Sequence, residues 1–371
     1  MTFEERLKKY AKEIGIDLIG ITTAKPFYEA YNRLEKMKRL GYLSPWTEMD
    51  FKKRCFPKLL MKDAASLIAV GISYLVKEDD GEEDDKTLFY GKLARFAQFE
   101  DYHKILRSKM EELVSFIKKK YPEVKAKIFV DTGPLIDREV AYRAGLGFFG
   151  KNSALINPEY GSFLALGEIL LNIPLKPDKP MKNGCGDCIL CLKACPQQAI
   201  KAPGEIQTNE CLSHYTQEKG LFNEKIRRKL GLRLWGCDTC QEVCPYNQKA
   251  RPGSGIFKVH KLGKKPDLEQ ILKLSNREYR KLVGETAMAW RGKRILQRNA
   301  LINLGNLKDP HAISILKEAL KDPRPIIRGA AAWAIGEIGG KEAKTILARA
   351  LQKEKDEQVR EELRKGLEKI L

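Results

Sequence analysis

The sequence predicts an α+β multidomain protein, on three observations. Strands alternate with helices across residues 1–175, eight of the nine cysteines crowd between Cys185 and Pro245, and the C-terminal third repeats itself at an offset of about thirty residues. Each observation marks a different architecture. The first predicts an N-terminal α/β domain over 1–175. The second predicts a ferredoxin-like two-cluster module over 176–250, and the third predicts HEAT-like helical repeats over 291–371. A basic helical segment over 251–290 links the last two.

At 371 residues the chain has material for two or three buried cores. Its 43% hydrophobic and 32% charged residues fit a soluble globular protein. No apolar run approaches the ~20 residues that span a bilayer, so no membrane partner is expected. The opening MTFEERLKKYAKEIGI reads as a charged amphipathic helix rather than a targeting peptide. The expectation is a cytoplasmic monomer.

The net charge of +19 is uneven. Residues 251–371 carry 27 Lys+Arg against 15 Asp+Glu, and residues 251–298 carry 13 against 4. A basic surface gathered in one region suits a polyanion partner. Arg291, Lys293, Arg294 and Arg298, where the basic segment enters the first repeat, are the candidate nucleic-acid contacts. Solvated helix faces are the plainer account.

Taken in order, the first helix leads to a short strand at Leu18–Ile21, a helix at 28–41, and a basic loop from Met49 to Leu60 containing Arg54. A strand at 66–76 precedes the acidic run EDDGEEDD at 78–85, which reads as an exposed loop without a catalytic pattern. A long amphipathic helix follows, with His103 near its start, placed to pack or cap rather than to bind metal. The strand at 126–130 runs into Asp131-Thr132-Gly133-Pro134. Proline suits the first turn of a helix beginning there, so Asp131 is either its cap or an acid facing a pocket at a strand end. The glycine-rich GLGFFGKN at 145–152 does not open a βαβ unit after a strand, which excludes a convincing dinucleotide fingerprint, and no GxxxxGK[ST] stretch is present.

Cys185, Cys188, Cys191 and Cys195-Pro196 follow the C-x2-C-x2-C-x3-C-P spacing of bacterial ferredoxins. In that pattern three thiolates grip one [4Fe–4S] cube and the fourth reaches the next. Cys237, Cys240 and Cys244-Pro245 close in the same way, with the leading cysteine moved upstream to Cys211. Read crosswise, Cys185, Cys188, Cys191 and Cys244 hold one cluster, and Cys195, Cys211, Cys237 and Cys240 hold the other. Two structural zinc sites would also use eight cysteines, although the middle cysteine of each triplet and the two Cys-Pro endings have no particular use there. Disulfides fit poorly, with no signal peptide and Cys55 left alone.

In the tail, residues 298–322 align with 328–354, Gly305 matches Gly336, and Arg328 recurs as Arg360. Helical pairs of this kind stack into a small α-solenoid, a surface that usually binds rather than catalyses.

Two clusters make a one-electron relay, yet residues 175–250 offer no substrate pocket, so the relay must serve a centre in the α/β domain. RCFPKLL, ARFAQFEDYH, FVDTGPLIDREVAYRAGLGFFGKNSALINPEYGSFLALGEI, the eight cysteines and GKRILQRNALINLGN together resemble the epoxyqueuosine reductase family over nearly the whole chain. The resemblance implies that the N-terminal domain binds cobalamin against the ferredoxin-like module. It further implies that epoxyqueuosine at the wobble position of tRNA is reduced to queuosine, with electrons from an unidentified donor. It makes Asp131 the proton donor and places Arg54, Ala94, Asp131, Leu155 and the 212–219 segment, including Ser213 and Lys219, along the cobalamin. Cys55-Phe56 after Arg54 and His214 in the inserted loop depart from the more usual family wording. His214 is expected to pack or touch a cofactor tail, with ligation of cobalt as the alternative. Opening an epoxide needs electrons at carbon and a proton at oxygen, and burial beside an apolar macrocycle is expected to raise the Asp131 pKa for that task. Two other readings use the same parts: a cobalamin-dependent reductive dehalogenase-like enzyme, and a non-enzymatic iron–sulfur electron-transfer or nucleic-acid adaptor.

Overall fold

Thr2 and Glu5 close a capping box on the first helix, Phe3–Glu13, whose Phe3, Leu7 and Ala11 fall on one buried stripe. It belongs to a computed structural model that describes residues 1–76 and 88–370; the acidic run at 78–85 lies outside the described residues. The chain divides into two units. One comprises 99–211 and 238–258 with the described residues of 1–79, and the other comprises 212–237 and 259–371 with those of 80–98. The linear ranges expected from the sequence do not map onto this division, because residues 212–237, between the two cysteine runs, group with the helical tail. No described helix is long and apolar enough to cross a membrane.

The first unit is built on a four-stranded antiparallel sheet. Leu18–Thr23 pairs with Ser66–Ser73, that strand with Leu164–Leu171, and the last with Ala126–Phe129. Every residue of Ser66–Ser73 is buried, which explains its unbroken apolar reading. It ends at Ser73, short of the expected 76. The Tyr102–Lys120 helix packs on Leu164–Leu171 and Ala126–Phe129, while the Asp137–Arg143 helix packs on Ser66–Ser73 and Leu164–Leu171. Two local expectations are corrected. Phe51–Cys55 is helical rather than looped, because the Asp50 side chain caps it at Lys53 N–H. The helix after Pro134 starts only at Asp137, with Ile136 in the cap position. The glycine-rich stretch forms a small hairpin, Phe148–Phe149 against Leu155–Ile156. A Cβ on Gly147 would lie 2.4 Å from the Ile156 carbonyl oxygen, so close backbone approach explains that glycine.

In the second unit the tail folds as helices Lys293–Leu307, Ile313–Ala319, Pro325–Ile338, Gly340–Lys353 and Glu357–Ile370. The first, third and fifth pack successively on one another, as repeat stacking requires. The recurring arginines do one job twice: Arg328 donates to the Asp322 carbonyl, and Arg360 to those of Leu351 and Glu354. Each ties its helix to the loop before it.

Candidate functional site

In the first unit, Asp131 ends a strand with its backbone in the left-handed region, at φ +46°. Such a conformation is uncommon for a residue with a Cβ. The Asp137 carboxylate holds it there by accepting from Asp131 N–H at 3.0 Å. Asp131 is therefore not the cap of the following helix; the capping runs in reverse. Its side chain remains 59% accessible. Asp101 caps the Tyr102–Lys120 helix and accepts from the His103 ring at 2.7 Å. That fixes His103 Nε2 at 3.6 Å from Asp131 Oδ2, to which Tyr102 donates its hydroxyl proton at 2.5 Å. The Tyr102 and His103 rings stack at 4.2 Å.

The electrostatics correct one expectation. Desolvation opposes ionisation of Asp131, but the nearby His103 and Arg138 charges and the hydrogen bond from Tyr102 outweigh it and hold the carboxyl below its ordinary range. Burial also works against the imidazolium of His103, but Asp101 and Asp131 push it up to about 9. At neutral pH the proton of this group therefore sits on His103, beside an ionised Asp131. Sequence reasoning passed over Tyr102 and reduced His103 to packing, although both stand in the ARFAQFEDYH stretch.

Arg54, on its short helix, has a buried Nε with no hydrogen-bond partner among the described residues. A donor in that state suits an acceptor on a bound group, which fits the place that the resemblance gives Arg54 beside cobalamin. Leu155 is 3% exposed and its side chain is part of the core, so only its backbone could reach a ligand.

All nine cysteines are free of disulfides; Cys55 is buried and Cys188 is the exposed one. In the first unit, the helix Leu190–Ala194, which carries Cys191, packs on Thr239–Glu242, which carries Cys240. Burial raises the Cys191 thiol, and the neighbouring Cys185 and Cys188 raise it further, as three grouped thiols should. Ala199 N–H points at Cys195 Sγ at 3.3 Å. Cys185, Cys188, Cys191, Cys195, Cys211, Cys237, Cys240 and Cys244 are all free thiols. This donor set fits [4Fe–4S] chemistry. The YGS stretch serves the module directly: Asn247, just after Cys244-Pro245, accepts from Ser162 N–H at 2.6 Å. A Cβ on Gly161 would lie 2.1 Å from the same Asn247 oxygen.

In the second unit, Ala94 has both backbone groups engaged, by Trp235 and Ala97, and can offer a ligand only its methyl. The 212–219 segment is caged from behind. Arg298 is fully buried, and its five N–H groups reach the carbonyls of Tyr215, Glu218 and Gly220 and, twice, Asn299 Oδ1. This corrects the expectation that Arg298 grips phosphate, since a fully satisfied, solvent-excluded guanidinium has nothing left to offer. Arg291 donates to the Gln217 carbonyl at 2.6 Å and Lys293 to that of Leu274 at 2.9 Å, while Arg294 is exposed. Ser213 is half-buried and Lys219 is exposed. His214 is buried with Nε2 at 3.0 Å from Glu218 Oε2.

Three family profiles match the chain: "4Fe-4S double cluster binding domain" over 184–247, "Epoxyqueuosine reductase QueG, DUF1730" over 54–132, and "HEAT repeats" over 291–368. An epoxyqueuosine reductase of Bacillus subtilis (strain 168) is 44% identical, with 98% of this chain and 95% of the relative covered. A crystal structure of selenomethionine-labelled epoxyqueuosine reductase superposes with a TM-score of 0.95 at 44% identity, covering 99% of each chain. Another, of an epoxyqueuosine reductase with a tRNA-Tyr epoxyqueuosine-modified stem loop, has a TM-score of 0.94 at 43% identity, covering 99% of this chain and 98% of the other.

Proposed function

The chain belongs to the epoxyqueuosine reductase family, and from that premise we propose that it reduces epoxyqueuosine to queuosine at the wobble position of tRNA, with Asp131 as the proton donor. It is an oxidoreductase whose cofactors are cobalamin and two [4Fe–4S] clusters. The observation that carries the reading is the Tyr102–His103–Asp131 group, an accessible carboxylate beside a proton-bearing imidazole, in a chain that matches the family end to end. That match favours this reading over the dehalogenase-like and adaptor alternatives.

Removing an epoxide oxygen as water, with an alkene left behind, consumes two electrons and two protons. Reduced cobalamin supplies the electrons at carbon when bound. The protons fall to the protein's own side chains. His103 first hands its proton to Asp131, which passes it to the epoxide oxygen as the first C–O bond breaks; a second proton, taken by His103 from solvent, follows the same route to the resulting hydroxyl, which leaves as water. Tyr102 holds the carboxyl in place. Arg54, Ser213 and Lys219 are the polar residues proposed to hold the cobalamin and its side chains, with Ala94 and the Leu155 backbone lining it. The crosswise sets, Cys185/Cys188/Cys191/Cys244 and Cys195/Cys211/Cys237/Cys240, are proposed to hold the clusters. Incubation with epoxyqueuosine-containing tRNA, cobalamin and reductant, followed by mass spectrometry of the nucleosides, should show queuosine. Unconverted epoxyqueuosine from protein with both clusters and cobalamin in place would sink the reading.

A further inference from the structure

Asp131 is held by a second acid, and that one faces a third. Glu168 lies in Leu164–Leu171, fully buried, between register partners Phe129 and Ala69 on the flanking strands. The preceding Gly167 faces Met110 of the Tyr102–Lys120 helix. By strand alternation Glu168 therefore points to the other face of the sheet, where the Asp137–Arg143 helix packs. Both Glu168 carboxyl oxygens and Asp137 Oδ1 are buried with no hydrogen-bond donor among the described residues. Asp137, the first residue of that helix, and Glu168 thus bring unpaired, buried carboxyl oxygens to one interface between sheet and helix. Acceptors facing acceptors in a dry interior are strongly unfavourable, and one proton between them turns the contact into an O–H···O bond. The other oxygen of Asp137 is the one that accepts from Asp131 N–H.

We propose that Glu168 and Asp137 share one buried proton, and that this pair latches the Asp131 loop in its working position. Glu168 and Asp137 are thus positioning residues for the acid, and neither needs to touch the substrate. The latch rests on the proposed function only for its effect on turnover. Its pH dependence has a defined sign. Burial raises Asp137 to about 6, the charge of Asp131 adding to the shift and that of Arg138 opposing it. Burial raises Glu168 well above the ordinary carboxyl range, with the charges of Asp137 and Asp131 adding. The shared proton is lost as pH rises through the raised Glu168 value. Two facing carboxylates then repel and the latch opens.

The test is amide hydrogen exchange of residues 131–137 in the full-length protein without added cobalamin, from pH about 6 to about 10, expressed as protection so that intrinsic exchange divides out. Wild-type protection is expected to fall roughly tenfold or more toward alkaline pH. Glu168→Gln keeps an N–H donor against Asp137 at every pH, so most of that dependence should vanish. The alkaline titration of His103 is common to both proteins, and their difference isolates the pair. Glu168→Leu offers no donor and should show low protection throughout; should it not fold, the comparison of Gln with wild type still decides. Flat wild-type protection, or a Gln variant that loses protection as wild type does, would overturn the latch. Should the exchange pattern hold while epoxyqueuosine stays unconverted, the latch stands and the substrate reading falls.

Discussion

Asp131, the proposed proton donor, is held in its ionised form, with the proton one neighbour away. Asp131→Asn keeps the size and the Asp137 contact but removes the transferable proton. Turnover should drop by the ~10²–10⁴ typical of lost general-acid catalysis, with cobalamin binding intact by its visible spectrum. Normal turnover in a variant that binds cobalamin would remove Asp131 from the role. His103 sets the pH limit. Its folded-state pKa is raised to about 9, so its favourable interaction is fully present below its ordinary pKa and lost as pH rises through about 9. Turnover with a chemical reductant should decline over the same window, and His103→Asn should move that decline to lower pH. An identical profile in the variant would mean that another group holds the proton.

At the scale of elements, the two short cysteine helices pack on each other, and crosswise ligation is proposed across them. Cys244→Ala should therefore impair the cluster of Cys185, Cys188 and Cys191. Iron analysis and EPR that localise the loss to the cluster of Cys237 and Cys240 would uncross the assignment. The Lys293–Leu307 helix carries a different lesson. Arg298 and Asn299 use it to fasten the 212–220 backbone, with Asn299 donating to the carbonyls of Thr216 and Leu234. Arg298→Gln leaves buried carbonyls without donors and should cost about 3 kcal/mol of stability, read as a lower denaturation midpoint. A variant as stable as wild type would show that the cage is dispensable.

For the whole molecule, the basic 251–298 region is proposed to hold the tRNA backbone, leaving a splayed loop base free to enter a pocket. With Arg298 buried, the residues left to test are Arg291, Lys293 and the exposed Arg294. Changing these three to Gln should weaken tRNA binding and reduce the salt slope by about one unit for each phosphate no longer neutralised, with clusters and cobalamin retained. An unchanged slope would move the tRNA site elsewhere. The parts of this protein legible in the sequence were those set by local rules. Cysteine spacing announced the two-cluster module, apolar periodicity and the recurring arginines announced the stacked helices, and the apolar run at 66–76 announced a strand. Glu168, a lone charge in the strand LALGEILL, and Asp137, in the first turn of a helix, were visible as residues but not as a pair. Only the tertiary structure decided that they share one sheet–helix interface, that His103 rather than Asp131 keeps the proton, and that Arg298 faces inward while Arg294 faces water. Charge and spacing are properties of the chain, whereas burial and protonation depend on which distant groups the fold brings within about 4 Å.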